Sequence, residues 1–237
     1  MTLLKFKIIK NFYECLTPGK AALVDFLLDV VIIFALILLV VKPFFFAPFR
    51  VQQESMMPNV FDGEFIITWK LPYHKLLGWR EYERNDIVVF RPTTNPENYL
   101  IKRVIGLPKE TLRLYQGKVW VKEVGATNFR ELKEDFLYEG RNGNTCLATN
   151  FCSEKDKAEQ IDFEVPANKY FVLGDNRTRS RDSRTCFVGN CQEEGRRFLG
   201  HGEIDGKVIL NFARYLNNPK PFWQFWEKVS FQNIRLF

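Results

Sequence analysis

Hydrophobic and polar positions divide the chain into two parts with different periodicity. Residues 21–41 are apolar apart from Asp25 and Asp29, and residues 30–41 are apolar without interruption. A helix of that length rises about 31 Å, close to the roughly 30 Å hydrocarbon core of a bilayer. The pattern therefore predicts one transmembrane anchor, bounded at residues 21–46 so that it includes the basic and aromatic residues of the far interface.

Beyond residue 47 the pattern changes to short β-like runs separated by turns. The runs are rich in Val, Ile and aromatic residues and have the length of strands. They are GEFIITWK, NDIVVFRP, YLIKRVIGLP, GKVWVK, KYFVLGDN and GKVILNF. No amphipathic helix of convincing length lies among them, so the exported part is predicted to be all-β.

The predicted fold class is an all-β catalytic domain of antiparallel sheets, with an inserted smaller β subdomain, preceded by one N-terminal transmembrane helix. A polar, turn-rich stretch interrupts the β-like runs and suggests the insertion. The predicted segments are a cytoplasmic N-terminus (1–20), the anchor (21–46), a catalytic core (47–112 and 169–215), an inserted cap (113–168) and an aromatic tail (216–237). The tail carries Trp223 and Trp226, and either covers the core or contacts the membrane interface.

Charge and cysteines place the two ends of the chain in different compartments. Four lysines precede the anchor against one carboxylate, Glu14, which favours a cytoplasmic N-terminus. Cys146 and Cys152 lie close in sequence, as do Cys186 and Cys191. Outside the cytoplasm they form either two disulfides, worth roughly 2 kcal/mol each, or remain buried thiols. The spacings are not those of a zinc site, and neither a metal nor a cofactor is expected.

The net charge of +6 is spread along the chain, without a basic run interleaved with aromatic residues. This distribution argues against a nucleic-acid partner. The apolar stretch instead indicates the lipid bilayer as a partner. A cleaved signal peptide is disfavoured because Phe45 stands where cleavage needs a small residue.

Ser55, in QQESMMPNV, is a candidate nucleophile that needs a base to remove its proton. His74 and His201 have no triad-like surroundings and are expected to be surface or loop residues. Lys102, in YLIKRVIG, alternates onto the face of Leu100 and Val104. An amine in such an apolar environment has a lowered pKa, so Lys102 is the candidate base.

These residues occur in motifs that resemble bacterial type I signal peptidase, the Ser-Lys dyad leader peptidase family. The motifs are SMMP, YLIKRVIGLP and GDNRTRSRDSR, in that order after an apolar segment, together with NDIVVFRP. The resemblance covers roughly residues 40–112 and 166–212. It implies a membrane-anchored serine endopeptidase that removes signal peptides from membrane-tethered preproteins, cutting after small residues through an acyl-enzyme, at the outer face of the bacterial cytoplasmic membrane.

The resemblance also assigns roles to residues. Ser55 is the implied nucleophile, Lys102 the general base and Ser180 the serine that hydrogen-bonds and orients the lysine. Asp182 and Arg184 match a supporting ion pair, and the supporting turn comprises Gly174, Asp175 and Asn176. The implied substrate-pocket positions are Val51 and Ile101, with Met56 and Pro58 shaping the loop that presents Ser55.

The loop before Ser55 departs from the family pattern at two positions. Gln53 stands where the family has a serine that donates to the oxyanion, and a glutamine amide can also donate. We therefore expect Ser55 and Gln53 to form the oxyanion site. Glu54 would favour charged Lys102 if it faced it, so we expect its side chain to point into solvent.

Two other readings of the sequence remain. The first is a catalytically inactive, anchored β-domain that binds exported polypeptides, which has no need of Ser55, Lys102 and Ser180 together. The second is a self-cleaving Ser-Lys regulator, which the anchor and the lack of a DNA-binding helix pair disfavour.

Overall fold

The structure is a computed structural model that describes residues 18–41, 45–70, 73, 80–137, 142–148, 150–188, 191, 193–212 and 234–236. It divides into two compact units, residues 1–45 and 46–237. His74, the predicted cytoplasmic residues 1–17 and the tail tryptophans Trp223 and Trp226 lie outside the described residues.

The described residues of the first unit form an apolar helix. Helix α1 (Pro18–Leu36) continues into a π-helical turn (Ile37–Val41). The window Ala22–Leu39 has a mean hydropathy of 2.8 and is not buried by other parts of the protein. Its length and composition are sufficient to cross a membrane.

The second unit is built from antiparallel strands, as the sequence predicts. Their bounds are β1 (Phe46–Arg50), β2 (Phe65–Trp69), β3 (Ile87–Phe90), β4 (Leu100–Gly106), β5 (Thr111–Tyr115), β6 (Lys118–Lys122), β7 (Arg130–Glu131), β8 (Ile161–Glu164), β9 (Lys169–Leu173), β10 (Leu199–Gly200), β11 (Ile204–Phe212) and β12 (Ile234–Leu236). A short helix, α2 (Glu154–Ala158), is capped at its N-terminus by Ser153, whose side chain forms a capping box with Asp156.

The strands form two sheets. The eight-stranded sheet has the order β1-β2-β11-β3-β4-β9-β10, with β12 paired to β11. The four-stranded sheet has the order β7-β6-β5-β8, and we call it the inserted sheet because it joins the end of β4 to the start of β9. The predicted fold class, an all-β body with a smaller inserted β subdomain behind an apolar helix, is confirmed.

The runs that the sequence analysis singled out do not include β1, β5, β7, β8, β10 or β12. Strand β1 contains Pro48, which lacks a backbone donor. It lies at the edge of the eight-stranded sheet and pairs only with β2 among the described strands, and an edge tolerates proline. Strands β5 and β8 have the alternating burial of a half-covered sheet, but are too short for the pattern alone to distinguish them from loops.

Apolar side chains fill the space on both sides of β4. Val104, on one face of the strand, packs in a cluster with Val88 and Val172. Ile101 belongs to a second cluster, with Val51 and Met56. Because both faces of β4 are covered, six of its seven residues are buried, including two cations, Lys102 and Arg103.

Candidate active site

Ser55 and Lys102 meet inside the second unit. Ser55 lies in a turn after β1, and Lys102 lies in the middle of β4. The Lys102 Nζ is 2.7 Å from the Ser55 Oγ and donates a second hydrogen bond, of 2.8 Å, to the carbonyl of Ile101. Ser55 is 8% exposed and Lys102 is 2% exposed. An amine and a hydroxyl are thus held at proton-transfer distance with little access for water.

The surroundings favour the neutral form of this amine. Burial lowers the pKa of Lys102 from 10.5 to about 8, and the positive charge of Arg184 adds a smaller contribution. The carboxylates of Asp182 and Asp175 act in the opposite direction. Desolvation outweighs them, so a substantial fraction of Lys102 is uncharged slightly above neutral pH.

A second segment, residues 174–184, packs against the loop that carries Ser55. A Cβ atom on Gly174 would lie 2.1 Å from the Ser180 Oγ and 2.5 Å from the Ser55 carbonyl oxygen, so only glycine fits there. Asn176 donates from its backbone to the Ser55 carbonyl at 3.0 Å and from its side chain to the Glu54 carbonyl at 3.0 Å. These contacts fix the backbone on both sides of the Ser55 amide.

Buried ion pairs hold this segment in place. Asp182 and Arg184 are fully buried, and the Arg184 Nε lies 2.9 Å from an Asp182 oxygen. Burial opposes ionisation of Asp182, but the charge and hydrogen bonds of Arg184, with smaller contributions from the Gly174 amide and Ser180, lower its pKa below the usual value. The predicted pair therefore exists as a buried, charged contact beside the two reactive groups.

Ser180 is brought to the site, although it does not bond Lys102. Its hydroxyl is 1% exposed and has no hydrogen bond of good geometry among the described residues. Instead it lies close enough to Asp182 to lower the pKa of that carboxyl. The role that the family resemblance implies, orientation of the lysine, stays a prediction.

The remaining predicted positions surround Ser55 in the same unit. Val51, Met56 and Ile101 are buried in one apolar cluster, and Pro58 is half-buried. Gln53 is exposed, with a backbone φ of 80°. Its backbone N–H donates to Asp62 at 2.8 Å. This bond does not involve the exposed side chain, which can therefore contact a ligand.

Glu54 points outward, as expected from the need to keep its charge away from Lys102. Its side chain is 54% exposed, and one oxygen lies 3.4 Å from the Arg179 guanidinium. The carboxylates that do act on the Lys102 pKa are Asp182 and Asp175.

The sequence analysis missed part of the site's support. Arg103 is buried and donates to both oxygens of Asp175, at 2.8 and 2.6 Å. Asn59 donates to the same carboxylate at 2.8 Å. Arg177, which is fully buried, donates to Glu134 and Thr145 of the insertion. The sequence did contain one signal for these contacts. Lys102 and Arg103 are adjacent cations in a strand whose other residues are all apolar or glycine, and buried cations need carboxylate partners.

His201 is a loop residue, one of the two positions expected for it, but it does not lie at the surface. It lies in a 3₁₀ turn, is buried, and contacts the carbonyl of Tyr73 at 3.2 Å through Nε2. Burial lowers its pKa. Across the described ranges, no group of three or more His, Cys, Asp or Glu side chains is arranged to hold a metal ion.

Both cysteine pairs are disulfides in the structure. Cys146 is bonded to Cys152 and Cys186 to Cys191. The first pair lies next to the site, because the carbonyl of Cys146 accepts a hydrogen bond of 2.9 Å from Arg184. Of the two possibilities that the sequence left open, disulfides and buried thiols, the structure contains the disulfides.

Comparison with known proteins identifies the family. The model of the family described as signal peptidase, peptidase S26, matches residues 23–212. The chain belongs to this family. It is 31% identical to signal peptidase I of Bacillus licheniformis over 189 residues, which cover 80% of this chain and 86% of the relative. Identity to signal peptidase I P of Bacillus subtilis subsp. natto is 33% over 165 residues, 70% of this chain and 80% of the relative.

Among solved structures, a signal peptidase I from Enterococcus faecalis is 26% identical in sequence to this chain. The match covers 54% of this chain and 97% of the other, with a TM-score of 0.38. The family assignment rests on the sequence matches. As a member of the S26 peptidases this chain is a hydrolase, and the family resemblance drawn from its motifs is confirmed.

Proposed function

We propose that this S26 peptidase is a membrane-anchored serine endopeptidase that removes signal peptides from exported preproteins. It cuts after small residues, with Ser55 as nucleophile and Lys102 as general base. The observation that carries the proposal is the 2.7 Å contact between the Ser55 Oγ and the buried Nζ of Lys102. An inactive binding domain would gain nothing from an uncharged amine at that distance from a hydroxyl.

The first step is proton transfer with nucleophilic attack. Neutral Lys102 takes the Ser55 proton while the Oγ attacks the scissile carbonyl. The Ile101 carbonyl, which accepts from the Lys102 Nζ, keeps the nitrogen lone pair directed at the hydroxyl. A lysine with a pKa of about 8 is suited to this work, because general-base catalysis is most effective when the pKa lies near the working pH.

The tetrahedral intermediate carries an oxyanion that needs donors already in place. We assign these donors to the backbone amide of Ser55 and to the side-chain amide of Gln53. Asn176 supports this geometry by bonding the carbonyls of Glu54 and Ser55. Lys102 then gives its proton to the leaving amine as the C–N bond breaks, which leaves the acyl group as an ester on Ser55. A water molecule that loses a proton to Lys102 attacks the ester carbonyl, and the Ser55 Oγ takes that proton back as the acyl product leaves.

The substrate segment before the cut binds in an extended conformation, adding a strand to an exposed edge of the sheet. Its small side chains enter shallow apolar pockets lined by Val51 and Ile101, which lie in the cluster beneath the nucleophile. The reactive groups are held in position by Ser180, Asp182, Arg184 and the turn from Gly174 to Asn176.

The membrane setting is part of the proposal. The apolar window Ala22–Leu39 serves as a single-pass anchor in the bacterial cytoplasmic membrane. The lysine-rich N-terminus stays in the cytoplasm, and the second unit works on the outer, periplasmic face. Preproteins tethered to the same bilayer are the partners, and neither a cofactor nor nucleic acid takes part.

The test compares processing of a preprotein by the detergent-solubilised full chain with processing by Ser55→Ala and Lys102→Met. Each variant is expected to lose about a thousandfold or more in turnover, since both groups act in the same steps. Lys118→Met is the matched control, because Lys118 is also a strand lysine but 40% exposed and paired with Glu131. It should process the preprotein at the wild-type rate.

Equal processing by wild type, Ser55→Ala and Lys102→Met would reject the proposal and favour an inactive binding domain. The pH profile gives a second readout. Below about pH 8, turnover should fall about tenfold per pH unit, because protonated Lys102 cannot accept the proton.

A further inference from the structure

Two exposed arginines flank the buried Ser180. Along this segment Thr178, Ser180 and Asp182 are buried, whereas Arg179 and Arg181 are exposed. The inward positions hold the groups that pack against the dyad, so the outward positions present their charges to solvent at the same place. Neither arginine has a role in the proposed chemistry.

One of these charges contacts the residue next to the nucleophile. Arg179, with a side chain 72% exposed, reaches to 3.4 Å from the carboxylate of Glu54, the residue that precedes Ser55. Within the part of the chain that the structure describes, Arg181 forms no ion pair. We call Glu54, Arg179 and Arg181 the charged rim. It carries two cations for one carboxylate.

The rim can exchange its internal ion pair for one with a ligand. An exposed pair at this distance stabilises a protein only weakly, since water competes for both groups. An incoming carboxylate can therefore replace Glu54 at Arg179, or bind Arg181 without displacing anything. A cation meets only Glu54 and is repelled by both arginines.

A polypeptide that reacts at Ser55 comes close to this rim, because Glu54 precedes Ser55 and pairs with Arg179. In the proposed function the small residues before the cut enter apolar pockets, so we assign the contact with the rim to residues after the cut. We propose that the charged rim selects substrates with Asp or Glu among the first three residues after the scissile bond. This inference rests on the proposed function and names a substrate preference of the same site.

The experiment measures kcat/KM for peptide substrates that differ at one residue. Peptides with Asp, Asn or Lys at one of the first three positions after the cut are compared as substrates of the detergent-solubilised full chain. We expect Asp to be preferred over Lys by about fivefold at the best position, the range of exposed ion pairs. The preference should shrink in about 1 M salt, where exposed charges are screened.

Variants assign the preference to the rim. In the double variant Arg179→Gln, Arg181→Gln the Asp-to-Lys ratio should fall to about one, and Arg179→Glu should invert it. Arg130→Gln is the matched control, since Arg130 is also an exposed arginine paired with a glutamate, Glu123, but on the inserted sheet. It should keep the wild-type ratio. The ratio is internal to each variant, so a general loss of activity does not affect it.

Three outcomes would overturn the inference. A wild-type ratio within twofold of one at all three positions would show that the rim reads no charge. A ratio that survives in the double variant would place the selection elsewhere. If the double variant loses activity only in vesicles of anionic lipid, with its peptide ratio unchanged in detergent, the rim contacts lipid rather than substrate. Absence of cleavage of every peptide by wild type would reject the proposed function, and the substrate role of the rim with it.

Discussion

The region around Ser55 and Lys102 differs from the inserted sheet in where its charged side chains lie. Next to the dyad, Lys102, Arg103, Asp175, Asp182 and Arg184 are all buried. The strands of the inserted sheet bury only apolar side chains, such as Leu112, Val119 and Phe163. Their charges form ion pairs at the surface, with side chains between a quarter and about half exposed in the Arg113–Asp162 and Lys118–Glu131 pairs.

The difference shows where the sequence accepts an energetic cost. Exposed ion pairs contribute little to stability, whereas buried charges must be paired and hydrogen-bonded to be tolerated. The inserted sheet is organised by apolar packing. The dyad region keeps its charges because they set the pKa of Lys102 and the position of Ser55, and four experiments test this contrast.

The largest effect is expected from Asp182→Ala. It leaves Arg184 fully buried without its carboxylate, which should lower the free energy of unfolding by about 3–5 kcal/mol. The matched variant Asp162→Ala removes the partner of Arg113 at the surface and should cost less than about 1 kcal/mol. Urea unfolding of both variants measures the difference. Similar losses of unfolding free energy in the two variants would contradict the contrast between the two regions.

Removal of the buried amine should stabilise the protein. Folded Lys102 releases its proton near pH 8, while an unfolded lysine holds it to about 10.5. Between those values the unfolded chain binds more protons, so stability rises with pH, and below pH 8 the folded state bears the full cost of about 3 kcal/mol. The free energy of unfolding of Lys102→Met should therefore exceed that of the wild type by up to about 3 kcal/mol at pH 7. Loss of the contact with Ser55 reduces this gain.

The gain should shrink to less than about 1 kcal/mol at pH 10 and vanish above the unfolded pKa of 10.5, because the amine then loses its proton in the unfolded chain as well. Chemical unfolding at pH 7 and pH 10 makes the measurement. Lys118→Met, on the inserted sheet, should change stability by less than about 0.5 kcal/mol at both pH values. A Lys102→Met variant that is less stable than wild type at pH 7 would show that burial of this amine carries no such cost.

Gln53 tests whether an exposed polar side chain matters when it lies beside the dyad. Gln53→Ala and Gln53→Glu both remove the amide donor and should lower turnover by about a hundredfold without changing the substrate KM. Gln52→Ala, at the adjacent exposed position, is the control and should behave as wild type. A loss below about threefold in both Gln53 variants would reject its role at the oxyanion.

The two disulfides should have the smallest effects, and similar ones. They close loops with sequence separations of 6 and 5, so replacing either pair by alanine should cost roughly 2 kcal/mol. Because the Cys146 carbonyl accepts from Arg184, loss of the Cys146–Cys152 bond should also lower turnover. Thermal unfolding and turnover of the two double variants measure both effects, and a pair whose removal changes neither would have no stabilising role.

Much of the fold follows from the sequence. Six of the twelve strands coincide with runs of branched and aromatic residues, and the apolar helix with the longest uninterrupted hydrophobic stretch, because these signals are local. The missed strands depend on neighbours. An edge strand with a proline and five strands of two to five residues are defined by the partners they bond.

For the site, the sequence indicated Ser55 and Lys102, and the family resemblance added six residues of the GDNRTRSRDSR motif: Gly174, Asp175, Asn176, Ser180, Asp182 and Arg184. Arg103, Asn59, Arg177 and Glu134 were missed, since each acts through a contact with a residue that is distant in the chain. The burial of His201 was missed for the same reason, because it depends on packing against Tyr73 and Tyr82.

By itself, then, the sequence determined the apolar helix, the β character of the remainder and the chemical identity of the reactive groups, since these reside in residue type and short-range order. Only the tertiary structure decided that an amine and a hydroxyl 47 positions apart lie 2.7 Å from each other and that the amine is dehydrated. Both the distance and the pKa are properties of packing, which arises from contacts that no local pattern specifies.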